Sequence, residues 1–276
     1  MADALKDPAN YLKALGGAGD GPHNIAEAAL ALSLLDHPRV SPAPYRAHLE
    51  QIAHFAKDDT RAAHTAEDVA HALARLMADR YGYDGDRRTY DDPQNADLMG
   101  VIDRRRGLPV TLGILYIHAA RAAGCTADGL NSPGHFLMRL TYRDSEALID
   151  PFNGGVTLER DSLVAPPRMG SLPAHGPQMT ECVSDTDVLL RLQNNLKQRA
   201  AQAGATERVL DLARRMVLIG PGRIELWLDL ARLQEQAGSL GAAKGAYEAA
   251  LVLTKPGDAL RNEAALALHA LKRKLN

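Results

Sequence analysis

Apolar positions recur with a helical period along most of the chain and change to a two-residue period in one region only. From Asn24 to Arg80 three segments carry the helical period: "NIAEAALALSLLD", "APYRAHLEQIAHFAKDD" and "TAEDVAHALARLMADRYG". In the third, Thr65 suits an N-cap and Asp68 stands at the capping-box distance, ahead of an apolar stripe of Val69, Leu73, Leu76 and Met77. Turn-rich sequence from Tyr81 to Gln94 leads to a short helix, "NADLMGVIDRRR", and then to "GLPVTLGILYIHAARAAGC", a helix opened by Gly107 and Pro109. Here the period changes. "GHFLMRLTY" places Phe136, Met138, Leu140 and Tyr142 on one face and His135, Leu137, Arg139 and Thr141 on the other, and "EALIDPFNGG" reads as a second short strand closed by a turn. The pattern predicts a small antiparallel sheet packed on helices.

Residues 161–184, with Pro166, Pro167, Gly170, Pro173, Gly176 and Pro177, read as a long irregular connection. Helices return beyond it, with Gly204 and Gly238 separated by 34 residues, as are Leu196 and Leu230. That period belongs to helix-turn-helix solenoids, in which each helix pair buries its apolar face only by stacking on a neighbour. "WLDLARLQEQAGSLGAAKGAYEAALVLTKP" resembles the tetratricopeptide pattern through Trp227, Leu230, Ala231, Gly238, Ala243, Tyr247, Ala250 and Pro256. A degenerate first copy keeps Leu196, Gly204, Ala213 and Pro221, and residues 257–276 form a closing helix with Lys272, Arg273 and Lys274 at its C-terminal dipole.

The predicted fold is therefore α+β and mostly helical. A core with a helical N-terminal extension spans 1–160, a linker 161–184, and an all-α repeat array 185–276. The length of 276 residues suits about two domains. Alanine-rich, with 4% aromatic residues, the chain favours helices over sheet. A hydrophobic share of 46%, a charged share of 24% and a net charge of -2 describe a globular protein with no global attraction for nucleic acid. No run of about 18 apolar residues suits a membrane span, and "MADALKDPANYLKAL" lacks the apolar stretch of a signal peptide, so a cytoplasmic location is expected. Cys125 and Cys182 are too few for a disulfide framework and show no metal-binding spacing; free thiols, and neither metal nor cofactor, are expected.

Three motifs carry the candidate chemistry: "RRGLPVTLGILY", "NSPGHFLMRL" and "LIDPFNGG". With the preceding helices and "YDDPQNADL", their order and spacing over about residues 24–155 resemble the SirB-type branch of the transglutaminase-like superfamily, which commonly carries tetratricopeptide-like helices behind its core. Active members of that superfamily use a Cys-His-Asp triad. A thiol at a helix N-terminus gains thiolate character from the dipole, a histidine takes its proton, and a carboxylate fixes the imidazole. The resemblance puts His135 at the histidine position and Asp150 at the aspartate position. Aligning "AARAAGC" on the family's helix end puts Pro109 at the nucleophile position, and a shift of two residues would put Thr111 there; neither is a thiol.

Other nucleophiles fit less well. Cys125 lies about 21 Å along the helix from Thr111, and Cys182 closes the irregular connection, where the sequence does not place it. A proline in the first helical turn has a structural role of its own, because the N–H it lacks has no partner inside the helix. His135 also suits a buried polar residue, and Asp150 a cap on the turn into "PFNGG". A hairpin pairing Tyr142 with Ala147 sets Arg139, rather than His135, against Asp150, so a His135–Asp150 bond needs a different strand arrangement. Arg104, Arg105 and Arg106 suit an anion site or a solvated face paired with Asp92 and Asp103; His64 and His71 show no ligand spacing.

Two functions follow from these readings. In the favoured one, a transglutaminase-like core without its nucleophile serves a regulatory or protein-interaction role, binding a protein or peptide through the repeats. Neither nucleic acid nor membrane is an expected partner, and the short array is compatible with a homodimer. In the other, His135 and Asp150 support a hydrolase or acyl transferase acting on amides or esters, with Thr111, Cys182 or an activated water as nucleophile.

Overall fold

The computed structural model describes residues 4–130, 135–159, 181–255 and 257–275, so most of the predicted linker lies outside the described residues. The chain divides into two compact units: Met1–Tyr11 with Gly21–Leu192, and Leu12–Asp20 with Gln193–Asn276.

The first unit surrounds one helix. α2 (Ile25–Asp36), α3 (Ala43–Asp59), α4 (Ala66–Ala74) and α5 (Leu98–Arg104) precede α6 (Pro109–Ala122). Every residue of α6 from Pro109 to Ile117 is buried. A helix apolar on all sides needs neighbours on all sides. They are α2, α3, α4 and α5, together with strands of the sheet and the turn that follows it. Thr65 and Asp68 form the predicted reciprocal capping box at the start of α4. The helix then continues over Arg75–Arg80 in π-helical form, where the pattern predicts uninterrupted α-helix.

The sheet has five antiparallel strands in the order β6-β5-β4-β3-β7. They are β3 (Thr126–Leu130), β4 (Met138–Tyr142), β5 (Ser145–Asp150), β6 (Val156–Leu158) and β7 (Cys182–Val183). Two further short strands, β1 (Asp84–Gly85) and β2 (Arg106–Gly107), pair in parallel. β4 begins four residues later than the alternation predicts, and β3 went unpredicted because "TADGL" carries Asp128 and Gly129, which are poor strand formers. Buried Ala127, Met138, Leu140 and Ile149 share one sheet face with Phe136. Phe136 presses on α6 so closely that a Cβ on Gly113 would stand 2.1 Å from its ring. The opposite face carries Leu130, Leu137 and Leu148, with Leu158 packed against them.

The second unit is all helical. α8 (Thr206–Ile219), α9 (Ile224–Gln236), α10 (Leu240–Val252) and α11 (Ala259–Leu275) pack each on the next, after the C-terminal part of α7 (Asp185–Gln202). Small side chains let the axes approach: Ala213, Ala231, Ala243, Ala246, Ala250 and Ala264 are buried together with Tyr247, Leu228, Leu268 and Leu271. α1 (Pro8–Gly17) is a short helix that the sequence pattern did not reveal.

Two helix ends in this unit are built alike. Gly204 and Gly238 adopt φ of 68° and 75°. The amides of Ala205 and Ser239 then donate to the carbonyls of Ala200 and Gln234, at 2.9 and 2.8 Å. This is the glycine-terminated Schellman end, in which left-handed backbone turns the chain back onto the last carbonyls. The 34-residue period of the sequence therefore appears as a repeated local geometry.

Candidate functional site

The β4–β5 hairpin decides what faces Asp150. Its turn is only Arg143 and Asp144, with Arg143 at φ 51°, and Tyr142 pairs with Ser145. The looser hairpin pairing Tyr142 with Ala147 is corrected by two residues, and Arg139 stands opposite Leu148. Bonds inside and outside the hairpin accompany this register. Ser145 Oγ donates to the Tyr142 carbonyl at 2.9 Å and accepts the Ala66 amide of α4 at 2.7 Å, which fixes Ser145 at the corner.

In this register Leu137 falls opposite Asp150, and His135, two residues earlier, projects from the same face. His135 Nε2 and Asp150 Oδ2 are 2.8 Å apart, with side-chain exposures of 9% and 2%. Asp150 also caps the turn Pro151–Asn153: Oδ1 accepts the amides of Phe152 and Asn153 at 3.0 and 3.2 Å, and Oδ2 accepts Asn153 Nδ2 at 2.5 Å. The pairing with His135 and the cap on the turn therefore coexist. Burial would raise the Asp150 carboxyl, yet the bonds from His135 and Asn153 outweigh it and hold the group below its ordinary range. An ionised carboxylate only accepts, so Nε2 of His135 carries the proton it donates. Nδ1 has no hydrogen-bond partner among the described residues.

Neighbours hold the imidazole in place. The Phe152 ring meets it edge-on at 6.2 Å, and the Arg87 guanidinium lies over the Phe152 ring, 4.9 Å from its centroid. Arg191, near the start of α7, donates to the His135 carbonyl at 2.7 Å and lies 5.6 Å from the Phe136 centroid. The buried hydroxyl of Tyr116 on α6 has no partner among the described residues. Burial first, and then the charge of Asp150, push its ionisation upward. Asn153 was legible in "DPFN", where it stands at the capping distance from Asp150; Tyr116 and Arg191 reach the site through tertiary packing alone.

Pro109 is the first residue of α6, buried, and preceded by Leu108, which provides no side-chain cap. Gly113 lies one turn on, against Phe136, and Pro109 shares its stripe of α6. Thr111 is two residues, about 200°, from Gly113 around the helix. Its buried hydroxyl donates to the Asn95 carbonyl at 2.8 Å, on the other side of α6.

The thiols lie elsewhere. Cys125 is buried beyond the C-terminal end of α6, and burial pushes it up to about 11. Cys182 pairs with Leu130, whose amide bonds the Leu137 carbonyl, so Asp150, Leu137, Leu130 and Cys182 form one row across the sheet. Three strand spacings separate the ends of that row, about 14 Å. Burial, and then Asp128 and Glu146 against Arg139, raise the Cys182 thiol. The structure brings His135 and Asp150 together and brings neither thiol nor the Thr111 hydroxyl to them.

Of the basic run, Arg104 bonds Asp86 at 2.8 Å rather than Asp92 or Asp103, and Arg106 bonds the carbonyls of Gly82 and Arg105. Among the described residues no group of three or more His, Cys, Asp or Glu side chains is placed to hold a metal ion, and no helix is long and apolar enough to cross a membrane.

Residues 43–194 match the sequence pattern of the family described as transglutaminase-like superfamily. The UPF0162 protein of Xylella fastidiosa strain 9a5c is 32% identical over 178 residues, 63% of each chain, so the present chain spans less than two thirds of that relative. The UPF0162 protein of Pseudomonas aeruginosa is 30% identical over 208 residues, 72% of this chain and 73% of its own. Human F-box only protein 21 is 31% identical over 85 residues, 14% of its length. Helices wrapped around α6, the antiparallel sheet and this sequence similarity agree that the chain belongs to the transglutaminase-like superfamily, among its UPF0162 proteins.

Proposed function

We propose that this is a non-catalytic transglutaminase-like protein of the SirB type, with Pro109 at the nucleophile position and a regulatory, protein-interaction role carried by tetratricopeptide-like helices. What carries the reading is that Pro109, at the first position of α6, has no nucleophilic atom, while the Thr111 hydroxyl is bonded to the Asn95 carbonyl and neither thiol is placed at the His135–Asp150 pair. Removing a triad nucleophile removes most of the rate while leaving fold and binding surfaces intact. The 34-residue repetition of helix ends and the alanine-lined packing of α8 to α11 support the repeat assignment, and a protein or peptide is the ligand such an array takes.

A second reading has its own support. The His135–Asp150 pair is buried, charged on the aspartate side and bonded in the orientation that a general base requires, with Nδ1 left for a reacting group. It would serve a hydrolase or acyl transferase using a nucleophile other than cysteine.

One assay separates the two. The full chain is incubated with p-nitrophenyl acetate and with a glutaminyl anilide, beside the variants His135→Ala and Pro109→Cys. The non-catalytic reading expects wild type and His135→Ala to match buffer, and Pro109→Cys to release product in a His135-dependent burst. Turnover by wild type that disappears in His135→Ala would reject it in favour of the second reading.

A further inference from the structure

Arg105 occupies an unusual place. It closes α5 in the left-handed region, φ 57°, where glycine or asparagine is the ordinary choice. Its Nη1 donates to His48 Nε2 at 2.7 Å and to the Tyr83 hydroxyl. The guanidinium lies 4.7 Å from the Tyr83 centroid and 5.7 Å from that of Tyr81. Because arginine only donates, His48 accepts at Nε2 and is neutral; burial first, and then the Arg105 charge, lower it to about 4. A charged side chain is thus held in a fixed pose by three aromatic rings.

The opposite edge of the guanidinium has no such partners. Nε and Nη2 of Arg105 bond to no described residue, and Arg105 forms no ion pair among them. Neither nitrogen belongs to the buried polar atoms without partners, so both reach solvent. Arg105 lines a groove of about 450 Å³ between the start of α3 and the end of α5. Val40, Pro44 and Ile102 make its apolar wall, and Val40 is 42% exposed. The groove also holds Asp103, which accepts the Tyr45 hydroxyl at 2.9 Å.

We propose that this groove binds a carboxylate carried on a small aliphatic group, held side-on by Nε and Nη2 of Arg105. Two parallel N–H groups on one planar edge match the two oxygens of a carboxylate. Asp103 balances the charge of Arg105, which disfavours a dianion such as phosphate and leaves a monoanion acceptable. The apolar wall gives the aliphatic part a surface to cover. The site is independent of His135 and Asp150, and no step of the proposed function uses it.

The test follows the Arg105 Nε–Hε resonance of the isotope-labelled full chain during titration with 3-methylbutanoate, 3-methylbutanamide, inorganic phosphate, the tripeptide Ala-Ala-Leu and its C-terminal amide. Saturable shifts with 3-methylbutanoate, at least roughly tenfold weaker with the amide and with phosphate, are expected. Arg105→Gly suits φ 57° and should fold while losing saturation of the neighbouring amides; Arg105→Lys keeps the charge without the fork and should bind at least about tenfold more weakly. Tighter binding of Ala-Ala-Leu than of 3-methylbutanoate would identify a polypeptide C-terminus as the source of the carboxylate, and the reverse a free acid. Equal binding of acid and amide, preference for phosphate, unchanged binding by both variants, or no saturation by roughly 50 mM in wild type would each overturn the proposal.

Discussion

Two helical glycines show how differently the two units are built. Gly113 in α6 lies where a Cβ would stand 2.1 Å from the Phe136 ring, whereas Gly245 in α10 has nothing within 4 Å of the same added atom. In the first unit the small residue exists so that a strand and a helix can meet around an aromatic side chain. In the second the close approach is made by Ala243, Ala246 and Ala250, and Gly245 contributes only backbone freedom. Buried polar groups occur in both units: His135, Asp150, Thr111 and Asn95 in the first form bonds that fix turns and helix ends, and the second buries Gln193, Arg215 and Gln234, with Arg215 paired to Asp211 at 2.7 Å.

That contrast is open to direct attack. The largest effect is expected from Asp150→Ala, which strips partners from His135, Asn153 and two backbone amides at once: about 3 kcal/mol lost in urea unfolding. A loss below roughly 1 kcal/mol would show that the polar cluster adds little to the first unit. Gly113→Ala should cost about 2 kcal/mol by overpacking against Phe136, and Phe136→Leu in the same chain should recover part of it. A pH series probes the first unit again. His48 is lowered to about 4 from an ordinary 6.5, so between those values the unfolded chain binds the extra proton. Stability should be complete above pH 6.5 and fall toward pH 4, by on the order of 1 kcal/mol after solvent screening, and His48→Gln should flatten that part of the profile. In the second unit Gly238→Ala should cost about 1 kcal/mol, since φ 75° opposes any side chain, while Gly245→Ala should add about 0.5 kcal/mol. Hydrogen exchange over residues 240–252 reads both, and the same sign for the two would undo the distinction between turn glycine and helix glycine.

Much of this was legible in the chain. The helices from Ile25 to Asp59, the Thr65 and Asp68 cap, the apolar α6 and the 34-residue period are local patterns, and local patterns survive in sequence. His135 and Asp150 were legible through motif order. Their mutual contact was implied by the resemblance but opposed by the simple hairpin pairing Tyr142 with Ala147, and the observed register differs from that hairpin by two residues. The position of Thr111 was hidden: its hydroxyl is directed by the carbonyl of Asn95, on a segment whose path is set by turns. Cys182 lay in a stretch read as irregular, and its strand is only two residues long, too short to leave an alternating signature.

The bond between Ser145 and Ala66 spans 79 residues of chain. On a ribosome adding about 5–20 residues each second, the first turn of α4 therefore emerges roughly 4–16 s before the hydroxyl that meets it. β4 itself emerges only at the end of that interval, three residues ahead of Ser145, when α4 has already been made. The alignment of this sheet is thus settled late in synthesis, against a helix that has been waiting for it.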